Sequence, residues 1–248
     1  MSGHSKWATI KHKKAALDAK RGRAFTRIIK EISIAARSGG DPDANPRLRT
    51  AILAAKAVSM PADNIKRAVQ RGTGELEGGQ IEEVIFEGYG PGGTGILVEV
   101  ATDNRNRTVA EIRHLFSKHG GKLGEQGSVS RLFERKSQIL IAQENTTEEQ
   151  LMELVVDAGA EDIRSDGVNW EILSPTEAHE SVLSAIHKAG LETVSAQVAM
   201  VPMTSIRLEG KDAQQMLKLS EVLEDHDDVQ NVYANFDIDE KVMEALAQ

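Results

Sequence analysis

Gln138-Ile139-Leu140-Ile141-Ala142 reads as a strand, and it opens the segment that decides the fold. Thr147 to Ala158 follows as a helix, with Leu151, Leu154 and Val155 inward. Asp162 to Arg164 and Val168 to Leu173 then flank Ser165-Asp166-Gly167, a hairpin turn signal. Pro175 to Ala189 is a second helix and Thr193 to Val201 a closing strand. The order β-α-β-β-α-β is that of a ferredoxin-like unit, predicted over residues 135–202.

The flanking segments complete each other. Val84 to Tyr89 and Gly95 to Ala101 alternate as strands around Gly90-Pro91-Gly92-Gly93. Val109, Ile112, Leu115 and Phe116 mark a helix ending at Gly120-Gly121, and Ser128 to Phe133 reads as a third strand. After Pro202 come a strand (Thr204 to Leu208), a helix (Lys211 to Leu223) and a strand (Val229 to Phe236). These three elements are too few for a stable domain. Residues 78–134 and 203–248 are therefore expected to form one discontinuous α/β domain with the ferredoxin-like unit inserted.

Residues 1–77 read as helices only. Phe25, Ile28, Ile29, Ile32 and Ala36 share one helix face until Ser38-Gly39-Gly40. Asn45 suits an N-cap and Pro46 a first helical position for a helix through Leu48, Ile52 and Ala55. Pro61 begins a third, with Ile65, Ala68 and Val69 inward, and the glycines between Gly72 and Gly79 mark a linker. The expected fold class is α+β, with three domains: an N-terminal three-helix bundle and two α/β domains, one ferredoxin-like and inserted into the other.

Charge divides the chain sharply. Residues 1–71 hold sixteen Lys and Arg against five Asp and Glu, a net of +11, whereas residues 72–248 carry a net of −19. A segment of one sign costs self-repulsion, and a polyanionic partner for the head would reverse that cost. Lys6, Lys11, Lys13, Lys14, Lys20, Arg21, Arg23, Arg27 and Lys30 face Asp18 as the sole acid of the first thirty residues. Lys20, Arg23, Arg27 and Lys30 fall on one helix stripe, and Arg47, Arg49, Lys56, Lys66, Arg67 and Arg71 extend the basic surface. Trp7 sits inside the basic tract, with stacking on a base or packing of the arm both open to it. Asp103-Asn104-Arg105-Asn106-Arg107-Thr108 runs from a strand into a helix. Arg105 and Arg107 could help hold a phosphate there, or the segment could serve as a plain helix cap. Asp225, Asp227 and Asp228 form an acidic run, read as solvated or as an intramolecular foil to the basic head.

Other chemistry is excluded by its signatures. The chain has no cysteine, so disulfides, Cys-based zinc sites and thiol nucleophiles are ruled out. Gly88, Gly90 and Gly93 have dinucleotide-fingerprint spacing, but a strand follows where that mechanism requires a helix N-terminus. His114 with His119, and His179 with His187, lack the spacing of a shared metal site. No G-x-S-x-G elbow singles out a nucleophile. No catalytic residue, metal, cofactor, small-molecule substrate or membrane partner is expected, and the location expected is the cytoplasm.

Several runs are distinctive: Gly3-His4-Ser5-Lys6-Trp7-Ala8-Thr9-Ile10-Lys11-His12-Lys13-Lys14, then Asp18-Ala19-Lys20-Arg21-Gly22, and Gly40-Asp41-Pro42 with Asn45-Pro46-Arg47-Leu48. Met60-Pro61 with Asn64-Ile65, Tyr89-Gly90-Pro91-Gly92-Gly93, the stretch Thr102 to Thr108, and Asn231-Val232-Tyr233-Ala234-Asn235-Phe236 add to them. In these runs the sequence resembles the YebC family. The resemblance implies a helical N-terminal domain, two α/β domains with one discontinuous, and no enzymatic activity. It also implies one of two roles: bacterial members are labelled probable DNA-binding transcriptional regulators, while mitochondrial relatives look like translational activators for a cytochrome oxidase subunit. For some bacterial members it implies assistance to ribosomes on difficult sequences such as proline runs. The first expectation is thus a DNA-binding regulator, and the second a ribosome-associated translation factor on ribosomal RNA or tRNA. The sequence has no helix-turn-helix spacing, which bears against base-specific DNA reading more than against RNA binding. A scaffold docking its arm on acidic proteins is the third reading.

Overall fold

The computed structural model describes residues 17–76, 79–165, 167–239 and 242–243, with side chains from Gly22 onward. Helix α1 (Leu17–Ala35) is longer than its apolar stripe, because the Ala, Lys and Arg ahead of Phe25 are strong helix formers. Helix α2 (Pro46–Ala57) starts where expected: the Asn45 side chain accepts the Leu48 N–H at 3.1 Å and Pro46 takes the first position. Helix α3 (Ala62–Thr73) closes a bundle around Ile32, Leu48, Ala51, Ala55 and Ala68. The α1–α3 crossing is tight. Ser33 Oγ donates to Ala68 O at 3.0 Å, and a Cβ added at Gly72 would stand 2.2 Å from Ser33 O.

The middle sheet joins β1 (Glu82–Tyr89), β2 (Gly95–Thr102), β3 (Lys122–Leu123) and β9 (Val229–Ala234) in the order β3-β1-β2-β9, all antiparallel. Helices α4 (Arg105–Lys118) and α7 (Gly210–Glu224) bury Ile112, Phe116, Met216 and Leu219 against Phe86, Ile96, Val98 and Val232. Val98 opposite Val232 shows that the sheet is closed by a strand from the far end of the chain. Short strands β8 (Ile206–Arg207) and β10 (Phe236–Asp237) pair in parallel beside it.

Ser128 to Phe133 is not the third strand. The buried Glu87 carboxylate accepts the backbone N–H groups of Gly127, Val129 and Ser130 at 2.8 to 2.9 Å, which removes them from any ladder. Ser130–Leu132 forms a 3-10 turn instead, and the third strand is the short Lys122–Leu123. Burial would lift the Glu87 carboxyl, but those hydrogen bonds outweigh it and hold the group below the usual carboxylate range.

The inserted unit contains β4 (Phe133–Ala142), β5 (Asp162–Ser165), β6 (Asn169–Ser174) and β7 (Ser195–Pro202) in the ferredoxin-like order β5-β6-β4-β7. Helices α5 (Glu148–Val155) and α6 (His179–Lys188) bury Leu151, Val155, Val182 and Ile186 on Ile139, Ile141 and Ile172. Strand β4 begins at Phe133, ahead of the expected Gln138. Its first residue joins Leu97, Val129, Ala199 and Tyr233 in a cluster that ties the two sheets together.

Candidate nucleic-acid interface

Of the cations singled out in the sequence, Lys6, Lys11, Lys13 and Lys14 lie outside the described residues, as does Trp7, and so do the side chains of Lys20 and Arg21. Arg23, Arg27 and Lys30 occupy one face of α1 at i, i+4 and i+7. That face is turned to the corner between α7 and β9. Arg23 Nη2 lies 3.6 Å from Asp225 Oδ1, and Arg27 Nη2 donates to Glu224 O at the C-terminal end of α7. Lys30 Nζ donates to Asp227 O at 2.9 Å and to Asp228 Oδ1 at 2.6 Å. Of the two readings of the acidic run, the intramolecular foil describes Asp225 and Asp228.

Asp228 is the centre of this arrangement. It is 5 % exposed and accepts from Lys30, from Thr108 Oγ1 at 2.6 Å, from Arg107 Nη2 at 3.1 Å and from Thr102 Oγ1 at 3.2 Å. Burial alone would raise its pKa. The hydrogen bonds from Lys30, Thr108 and Arg107 more than offset that, holding the carboxyl well below the ordinary range. The structure thus brings Lys30 and Arg107 onto one carboxylate. Arg107 also meets Asp103 Oδ1 at 3.0 Å, while Asn104 caps α4 by accepting the Arg107 N–H at 3.1 Å. The cap reading of Asp103 to Thr108 therefore describes this conformation. Arg105, on the first residue of α4, is exposed and has no ion pair among the described residues.

Neighbouring His226 donates through Nε2 to Glu111 Oε2 (2.9 Å), and its Nδ1 accepts the Asp228 N–H at 3.1 Å. Glu111, His226 and Asp228 sit close enough to share a cation. Yet both ring nitrogens are used and Asp228 already holds two basic side chains, so the group is a charge network rather than a metal-ligand set.

The remaining cations of the helical domain divide into two sets. Arg47 bridges Glu31 at 2.8 Å and Glu83 at 2.6 Å, and Arg37 donates to Ile81 O at 3.2 Å. Lys56 on α2 and Lys66, Arg67 and Arg71 on α3 are exposed, and their side chains form no ion pair among the described residues. Arg71 also lines a cleft of about 640 Å³ with Arg37, Ser33, Thr73 and Gln80. What sequence reading missed is the Thr102–Thr108–Asp228 hub. The acidic run and the Asp103–Thr108 stretch are both visible in the sequence, but nothing local joins them, because the members come together through the β2–β9 pairing. No helix among the described residues is long and apolar enough to cross a membrane.

A helical basic domain joined to a split α/β domain with a ferredoxin-like insert is matched by two family models. One, described as the TACO1/YebC protein N-terminal domain, covers residues 5–75, and the other, the TACO1/YebC second and third domain, covers residues 81–236. The chain belongs to the TACO1/YebC family. It is 70 % identical, over the full length of both chains, to a protein of Solibacter usitatus named "Probable transcriptional regulatory protein". A protein of the same name from Acidobacterium capsulatum is 61 % identical over 97 % of this chain and 98 % of its own. A crystal structure of a conserved hypothetical protein from Aquifex aeolicus superposes with a TM-score of 0.84 at 47 % identity, covering 94 % of this chain and 97 % of that one.

Proposed function

We propose that this protein is a non-enzymatic, cytoplasmic regulator of gene expression whose N-terminal domain holds the phosphate backbone of DNA. The observation that carries the reading is the exposed set Lys56, Lys66, Arg67 and Arg71, whose side chains form no ion pair among the described residues, in a segment of net charge +11. Such a cluster costs self-repulsion in the free protein and gains by releasing counterions from a polyanion. The proposed surface includes the arm, with Lys6, Trp7, Lys11, Lys13, Lys14, Lys20 and Arg21, and Arg105 at the start of α4. The names carried by the Solibacter and Acidobacterium relatives support the transcriptional reading. Phosphate contacts of this kind give affinity and register without reading sequence.

The test is binding of the full chain to duplex DNA, single-stranded DNA and a structured ribosomal RNA fragment by fluorescence anisotropy, with Lys66→Glu/Arg67→Glu/Arg71→Glu beside the parent. Salt-sensitive duplex binding that the variant loses supports the reading. Equal binding by the variant overturns the role of this face, and a marked preference for the RNA fragment moves the protein to ribosome-associated translation.

A further inference from the structure

We infer that the α1 stripe of Arg23, Arg27 and Lys30 is a second phosphate-binding surface, covered in this conformation by the Glu224–Asp228 corner, and that nucleic acid displaces the corner to reach it. The inference rests on the phosphate-binding reading of the helical domain and adds to it a masked site and an internal competitor.

Geometry carries it. From residue 23 to residue 30 an α-helix rises by roughly 10 Å, so the stripe is a short linear array of three cations. The corner lays oxygens along the same line. Asp225 meets Arg23, the Glu224 carbonyl meets Arg27, and Asp227 O with Asp228 Oδ1 meets Lys30. Two of these oxygens are carboxylates, and the Glu224 carbonyl belongs to the C-terminal end of α7, where the helix dipole is negative. A row of acceptor oxygens bearing negative charge is also what a sugar-phosphate strand presents to Arg and Lys, so the corner and a nucleic-acid backbone compete for the same groups.

The seam around this contact is suited to opening. The next position of the α1 face, Ile34, joins Ile81 and Ala101 in a small buried apolar cluster, and Lys30–Asp228, Arg47–Glu83 and Arg37–Ile81 O add polar contacts across the seam. Interfaces between domains that are small and polar permit relative motion. Burial also presses the Arg27 guanidinium pKa down from its ordinary value, against the pull of Glu224 and Asp225, so the docked state carries a desolvation cost. A ligand that binds the uncovered stripe better than the covered one shifts the population toward the open form by that difference alone.

The experiment measures duplex-DNA affinity of the full chain carrying Asp225→Asn/Asp228→Asn. A control, Glu149→Gln/Glu153→Gln, removes the same charge from exposed positions of α5. The corner variant is expected to bind about tenfold more tightly and the control to stay within about twofold of the parent. Adding Arg23→Gln/Arg27→Gln to the corner variant should cancel the gain. Because the chain has no native cysteine, dyes on Leu53→Cys and Val156→Cys, both exposed, report the separation of the helical domain from the insert. Energy transfer should change when DNA binds the parent. Asp225→Asn alone, at an exposed position, keeps the test open if loss of buried Asp228 unfolds the middle domain; a smaller gain is expected of it. A parent that binds DNA while neither corner variant gains affinity and energy transfer stays constant would overturn this inference and leave the proposed function standing. A parent that binds no nucleic acid overturns both.

Discussion

Lys30 Nζ lies 2.6 Å from Asp228 Oδ1, with the two side chains 16 % and 8 % exposed, and the pair joins the basic helical domain to the acidic body. The same carboxylate takes hydrogen bonds from Thr102 at the end of β2 and from Thr108 and Arg107 on α4, so it also fixes how that helix leaves the middle sheet. Removing one member of a buried ion pair leaves the other desolvated and uncompensated, a larger loss than the net worth of the pair.

Asp228→Asn should therefore lower the stability of the protein by about 3 kcal/mol, the low end of the range for breaking a buried pair. Urea unfolding at neutral pH checks this, and an unchanged midpoint would show that water satisfies Lys30 equally well.

The pH dependence of the same contact has a definite sign. The folded-state pKa of Asp228 is depressed, so the unfolded chain takes up the proton first. The contribution is complete above about pH 4, the ordinary range of an unfolded Asp, and is lost as pH falls from there toward the folded value. The stability gap between the parent and Asp228→Asn should stay constant from neutral pH down to about pH 4 and narrow only below it. Denaturation series at a set of pH values measure the gap.

If Lys66, Arg67 and Arg71 each neutralise one phosphate, the Lys66→Glu/Arg67→Glu/Arg71→Glu variant should bind duplex DNA with a shallower salt dependence. Each lost contact removes about 0.9 from the slope of log K against log salt, so the three together remove roughly 2 to 3. Titrations at four or five salt concentrations give the slope, and an unaltered one would mean that these side chains point away from the bound strand.

Two glycines on the helical domain should respond in opposite directions to alanine. At Gly72 a Cβ would meet Ser33 O at 2.2 Å and Ala36 Cβ at 2.6 Å, so Gly72→Ala should force α1 and α3 apart at a cost of about 1–3 kcal/mol. At Gly22, inside α1, nothing stands within 4 Å, and Gly22→Ala should stabilise by up to about 1 kcal/mol through helix propensity. Thermal melts followed by circular dichroism distinguish the pair.

Glu87→Gln should loosen the loop from Gly127 to Ser130. The amide keeps one acceptor oxygen where the carboxylate had two for three backbone donors, leaving a donor unsatisfied at a cost of about 1–3 kcal/mol. Faster hydrogen exchange at Gly127, Val129 and Ser130, with β1 and β2 unaffected, is the expected signature.

Local signals carried most of the architecture. Asn45-Pro46 marks the start of α2 because an N-cap acceptor and a residue without an N–H act within one turn. The hairpin turn before Val168 and the apolar spacing of Leu151 and Val155 made the ferredoxin-like order legible, since each depends on neighbours a few residues away. Ser128 to Phe133 misled for the converse reason: its β-like composition is overruled by Glu87, far upstream, whose carboxylate takes the amides a strand would need. The candidate surface shows the same division. The cations of α1 and α3 are plain in the sequence, but nothing local separates Arg27, which ends against the α7 carbonyl of Glu224, from Arg67, which stands exposed.

By itself, then, the amino-acid order determined most of the helices and strands, and that positive charge gathers in the first third of the chain. Periodicity, caps and charge counts are properties of short windows, and no folding is needed to read them. Only the tertiary structure decided which of those charges are covered and which are open, because pairing β9 with β2 carries Asp228 to the face of α1. Coulombic and hydrogen-bond energies depend on distances of a few ångströms, and those distances exist only once the far end of the chain has closed the middle sheet.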